Sequence, residues 1–128
     1  MAQVLLYNIN DTEKLRRIRV ALLRLGIRER AVRYEEYAHP LGYLAGAEGY
    51  TAALPHTGEE IGEEMMVMAG LNPRQFSALL DMLRASRAVV SLKAVLTETN
   101  AVWDSIALYK ALREERATMR ELQERKRK

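Results

Sequence analysis

Two short runs, Val4-Leu5-Leu6-Tyr7 and Met65-Met66-Val67-Met68-Ala69, are apolar at every position, and they set the strictest condition on how this chain folds. Successive side chains of a strand point to opposite faces of its sheet, so a strand that is apolar throughout needs cover on both faces. The sheet that holds these runs must be enclosed. A chain of 128 residues can do this as one ordinary domain, burying roughly two-thirds of the surface its unfolded form exposes.

Two further segments have strand character but carry charge: Ile27 to Tyr34, IRERAVRY, and Val89 to Leu96, VVSLKAVL. Charged side chains suit edge strands, because they discourage pairing with other chains. Between the first apolar run and the first charged segment, Leu15, Ile18, Leu22 and Leu25 share a helical stripe. Asn10 and Glu13 have the spacing of a capping box at its start, and Gly26 stands at its end. Asn72-Pro73-Arg74-Gln75 opens a second helix, with a cap residue, proline at the first helical position and glutamine at the third. Phe76, Leu79, Leu80 and Leu83 then form its buried stripe. Thr97 to Asn100 is expected to cap a long last helix bearing Val102, Trp103, Ile106, Tyr109 and Leu112.

The order βαββαβ plus a helix predicts an α+β fold. The reading is a ferredoxin-like sheet with the apolar runs central, a long insertion between its second and third strands, and an extra C-terminal helix. The crossover helices of such a sheet cover one face only. The final helix or a second subunit, in a homodimer, must cover the other. A three-layer, mostly parallel α/β sheet is the alternative. Residues 1–112 read as the single domain and residues 113–128 as a charged helical or frayed tail.

The net charge of +3 belongs to that tail. Residues 113–128 hold seven Lys or Arg against four Glu, whereas residues 1–112 hold thirteen of each sign. The domain body therefore has no overall bias toward nucleic acid. There is no cysteine, which excludes disulfides, thiolate metal sites and cysteine nucleophiles. The apolar run near the N-terminus is too short for a signal-peptide core or a membrane span, so the expectation is a cytoplasmic protein without membrane attachment.

Residues 34–62 hold five of the seven glycines, four of the six tyrosines and both histidines, which makes this long connection the place to look for a site. Gly42, Gly46 and Gly49 would let backbone N–H groups approach an anionic ligand, with His39, Tyr43 and Tyr50 beside them. The spacing matches neither GxxxxGK[ST] nor GxGxxG. Packing of Leu41, Tyr43 and Leu44 onto the body, with the glycines making turns, is the simpler account. Thr97 and Asn100 offer a polar helix start that could receive an anion, although ordinary capping explains them too. His56 with Glu59, Glu60, Glu63 and Glu64 has the ligand types of a metal site, but such residues in a polar loop more often form a solvated surface, and no metal ligand is assigned. No residue is assigned a catalytic role, and no cofactor is indicated.

The segments VLLYN, PLGYLAG, EEMMVM and LKAVLTETNAVWDS, in this order and spacing, resemble a family catalogued as domain of unknown function 3783, over most of residues 4–115. The resemblance implies a bacterial, cytoplasmic protein and brings no activity, substrate or catalytic residue with it.

From these observations the expected function is non-enzymatic: a binding or regulatory domain that takes a small molecule or a protein partner on loop 37–62. The alternative is nucleic-acid binding through Arg125, Lys126, Arg127 and Lys128 at the basic end of the tail. Against it, the third strand lacks the aromatics interleaved with Lys, Arg and Gly that mark RNA-recognition sheets.

Overall fold

The computed structural model describes residues 2–127. The chain runs β1 (Gln3–Tyr7), α1 (Thr12–Arg24), β2 (Arg28–Ala31), a one-turn α2 (Leu41–Leu44), β3 (Met65–Ala69), α3 (Pro73–Ala85), β4 (Leu92–Val95) and α4 (Ser105–Arg127). The predicted strands and helices all form, with the two charged strands shorter than expected. Asp11, rather than Asn10, caps α1, its carboxylate accepting from the Lys14 N–H at 3.0 Å. A charged acceptor suits the positive end of a helix better than an amide does. At α3 the capping box forms as read: Asn72 Oδ1 accepts from the Gln75 N–H at 2.8 Å, and Gln75 Oε1 accepts from the Asn72 N–H at 3.1 Å.

The four strands form one mixed sheet of order β2-β1-β3-β4. The apolar strands are central and the charged ones are edges, as their composition requires. The connectivity is not ferredoxin-like. In that arrangement the strands of each βαβ unit are split by another strand, whereas here β1 lies directly beside β2 and β3 directly beside β4, both parallel. The two units meet along an antiparallel β1–β3 pair, with Val4 opposite Met68 and Leu6 opposite Met66. The physical reason lies in the connection from β2 to β3. It makes no hairpin, but runs along one face of the sheet and back, so β2 and β3 never pair.

Both faces are covered by the chain itself. On the first, Val4, Leu6, Met66 and Met68 pack against Ile18 and Leu22 of α1 and Leu79 and Leu83 of α3. On the second, Leu5, Tyr7, Met65 and Val67 meet Leu108 and Tyr109 of α4 together with Tyr37, Leu41, Leu44 and Ile61 of the long connection. Complete burial of such side chains contributes roughly 1.5–3 kcal/mol each. The sheet-face homodimer considered from the sequence loses its basis, because no bare sheet face remains for a second subunit. Among the described residues no helix is long and apolar enough to cross a membrane.

Candidate functional site

The connection 32–64 descends and climbs the second sheet face. Val32 leaves the carboxyl end of β2, and its N–H still bonds to the Leu6 carbonyl at 2.9 Å. Leu41 and Leu44 of α2 are fully buried farther down, and Gly46 reaches the opening of β1 beside Gln3. The return is anchored at the top by Asn8, whose Nδ2 donates to the carbonyl oxygens of Ile61 at 2.5 Å and Glu63 at 3.3 Å. Asn8 takes a positive φ of 59°, a conformation asparagine tolerates better than most residues.

This path creates a crevice. After β1 the chain turns to α1 on the first face, and after the adjacent parallel β2 it turns to the second face. Neighbouring parallel strands whose exits diverge leave a cleft beyond their carboxyl ends, the usual position of ligand sites in open α/β sheets. A cavity of about 360 Å³ occupies this position. Asn10, Leu15 and Arg19 line it on the α1 side, Arg33, Tyr34 and Tyr37 along the β2 exit, and Glu60 and Ile61 on the returning loop. Arg19 is held by Glu29 at 2.7 Å. Arg33 and Glu60 are exposed and bring both signs of charge to the opening.

An aromatic series supports the loop wall. Ring centroids lie 5.9 Å apart for Tyr7 and Tyr37, 5.6 Å for Tyr37 and Tyr34, and 5.0 Å for Tyr34 and His56. The Tyr34 hydroxyl both donates to the Gly58 carbonyl and accepts from the Gly58 N–H, each at 2.8 Å. Burial pushes the Tyr37 hydroxyl above the usual tyrosine range, against the opposing effect of Asn8. Burial likewise pushes Glu36 up, but hydrogen bonds from the Arg33 backbone and from Arg30 reverse this and leave its carboxyl below the ordinary range. The tight turn after β2 is thereby held by a charged hydrogen-bond pair, Arg30 Nη2 to Glu36 Oε2 at 2.6 Å.

The loop residues singled out in the sequence divide among several places. His39 accepts from the Ala53 N–H through Nδ1 at 2.9 Å, and its ring lies 4.8 Å from that of Tyr43. Tyr50 lies across Gly42, where an added Cβ would stand 2.5 Å from the Tyr50 ring. Gly46 and Gly49 have φ of 78° and 92°. Thr97 and Asn100 bond each other, Asn100 Oδ1 accepting from the Thr97 N–H at 2.8 Å and Thr97 Oγ1 from the Asn100 N–H at 3.1 Å. The Asn100 amide also donates to the Val95 carbonyl at 3.0 Å. They close a 3-10 turn, Asn100–Val102, and the cap of α4 is instead Asp104, which accepts from the Ala107 N–H at 2.8 Å. This turn packs on α2, and the Leu41 N–H donates to the Trp103 carbonyl at 2.8 Å. The fold therefore brings segments 37–44 and 97–105 together.

A second, smaller crevice of about 320 Å³ occupies the corresponding position beyond β3 and β4, where Gly46 meets Gln3, Arg28, Gly70 and Leu96. Three of the four acids named beside His56 in the sequence pair with separate cations. Glu64 pairs with Lys14 at 2.7 Å, Glu59 with Lys110 at 3.0 Å, and Glu63 with Arg116 at 2.7 Å, while His56 Nε2 donates to the Glu59 carbonyl at 2.7 Å. Among the described residues no three His, Asp or Glu converge as a metal site. Arg125, Lys126 and Arg127 are exposed at the end of α4, and Lys128 lies outside the described residues.

Of the crevice residues, Asn8, Asn10 and Arg33 lie outside the connection 34–62 that the sequence singles out, whereas Tyr34, Tyr37 and Glu60 lie within it but are not among the ligand contacts expected there. The signal available was the polar segment Asn8-Ile9-Asn10-Asp11 directly after an apolar strand, which marks a strand-to-helix exit. Which neighbouring strand diverges from it depends on pairing that no local pattern contains.

Residues 64–119 match the model of a family described as Domain of unknown function (DUF3783). No curated protein matches the chain, and no solved structure does. The match takes in most of the EEMMVM segment and all of LKAVLTETNAVWDS but neither VLLYN nor PLGYLAG, so it is narrower than the resemblance over residues 4–115. The crevice beyond β1 and β2 is built entirely from residues that precede it. Over β3, α3, β4 and the first half of α4, the chain is similar to the family of unknown function DUF3783.

Proposed function

We propose that this protein is a non-enzymatic binding domain that holds a small polar ligand of mixed charge in the crevice beyond the carboxyl ends of β1 and β2, with the glycine- and tyrosine-rich connection as its wall. The observation that carries the reading is the crevice itself: a cavity of about 360 Å³ at a point of diverging chain exits, with Arg33 and Glu60 at its opening. Asp11 already occupies the helix end with a carboxylate, which favours a ligand bearing a positive as well as a negative group. The crevice beyond β3 and β4 contributes only Gln3 and Arg28 as polar side chains and is the weaker candidate. A cytoplasmic setting, in a bacterium as the family resemblance implies, accords with a domain that responds to a small metabolite.

The test is titration calorimetry with free amino acids, which carry both charges, alongside simple carboxylates and amines. Saturable binding of a zwitterion that falls about tenfold in Arg33→Ala and in Glu60→Ala supports the reading. Binding unaffected by both substitutions, or no binding across the three classes, counts against it.

Nucleic-acid binding by Arg125, Lys126 and Arg127 is the second reading, supported by their exposure on the last turn of α4. Glu114, Glu115, Glu121 and Glu124 on the same stretch weaken it. Salt-dependent binding of a duplex that disappears on truncation after Leu112 is its test.

A further inference from the structure

Helix α4 outruns the body that supports it. One face of it, Ser105, Ile106, Leu108, Tyr109, Ala111 and Leu112, is buried or half-buried, as is Arg116, which bonds Glu63, while every residue from Ala117 to Arg127 is exposed. Met119 is 56 % exposed and Leu122 44 %. A helical extension of this length draws little stability from water alone.

The exposed stretch has one stripe at alternating spacings of four and three: Glu115, Met119, Leu122 and Lys126. These spacings keep side chains on one face, as in the seam of a helix pair. The stripe is also complementary to itself when reversed. In an antiparallel pair centred between Arg120 and Glu121, Met119 of one chain opposes Leu122 of the other, and Glu115 opposes Lys126, twice over. In a parallel in-register pair, Glu115 would meet Glu115 and Lys126 would meet Lys126, placing like charges together in the seam.

We propose that the projecting half of α4 is a self-association surface whose occupant is the same stretch of a second copy of this chain, packed antiparallel. The charge pattern selects both the partner and its direction. Each helix covers the stripe that the other body leaves bare, so the free helix end of one copy points toward the body of the other. The sheet faces take no part. The contact is short, so the dimer forms reversibly with rising concentration rather than permanently.

The experiment is sedimentation equilibrium of the full chain over a wide range of concentration, with four variants. Leu122→Glu is expected to abolish association while leaving the thermal melt of the body unchanged, since the residue lies outside the core. Glu115→Lys and Lys126→Glu are each expected to weaken association about tenfold, and the double variant carrying both is expected to restore it. A monomer at every concentration overturns the proposal, as does a dimer indifferent to Leu122→Glu. So does a double variant no better than the single ones, because only the antiparallel arrangement brings residues 115 and 126 together.

Discussion

The hydroxyl of Tyr7, the last residue of β1, lies 2.7 Å from the hydroxyl of Ser105, the first residue of α4, joining positions 98 apart in sequence at a point where both residues are fully buried. This bond seats the covering helix on the second sheet face. Burial pushes the tyrosine far above its ordinary ionisation range, against the opposing effect of Ser105, so its hydroxyl stays neutral.

Tyr7→Phe leaves the Ser105 hydroxyl buried without its partner, and Ser105→Ala does the reverse. Each is expected to destabilise by about 1–3 kcal/mol in denaturant unfolding. The double variant should cost less than the sum, because neither half of the pair then remains orphaned. Additive losses would mean that the bond contributes no coupling.

Met66 is fully buried on the first face against α1 and α3. Met66→Ala should cost about 2–5 kcal/mol through lost transfer energy and the cavity left behind. Chemical denaturation of the purified variant measures it, and a loss below 1 kcal/mol would mean the helices collapse freely onto the gap.

Hydrogen bonding from Arg116 holds the Glu63 carboxyl below the ordinary glutamate value of 4.5, with Arg113 adding to the effect. A carboxylate whose folded value is depressed stabilises the fold fully above its unfolded value and progressively loses that contribution as pH falls through the lower, folded one. Stability should therefore drop as the solution is acidified below about 4.5. Glu63→Gln is expected to lower the melting temperature at neutral pH and to flatten this acid slope. Parallel pH profiles for the two proteins would show that the pair is not what titrates.

At Gly42 a methyl group would stand 2.5 Å from the Tyr50 ring, a flexible side chain on the loop rather than core backbone. Gly42→Ala should thus expel the ring and loosen residues 45–60 without a global loss. Hydrogen exchange is expected to rise in that segment while the sheet stays protected. Adding Tyr50→Ala should relieve the clash and return the exchange of that segment toward the wild type.

Much of the fold was legible locally. The uniform apolarity of VLLY and MMVMA announced two central strands, the charges in RERA and LKAV announced edges, and Asn72 to Gln75 announced a helix start. Strand order was not legible, because it depends on whether β2 pairs with β3. The long connection between them permits a hairpin as readily as an excursion over the sheet. The same excursion explains the glycine- and tyrosine-rich loop. Tyr37, Leu41 and Leu44 are there to bury the second face, and Gly46, Gly49 and Gly58 take the positive φ its turns require. The crevice residues Asn8, Arg33 and Glu60 come from three separate stretches that only the folded path unites.

The measurement that bears most directly on the binding assignment is an amide NMR titration of the labelled protein with a zwitterionic amino acid selected by calorimetry. The account predicts saturable shifts concentrated at Asn8, Asn10, Arg33, Tyr34 and Glu60, and their loss in Arg33→Ala. Shifts centred instead on Gly46, Gly70 and Leu96 at the opposite sheet end, or the absence of any saturable shift, would contradict it.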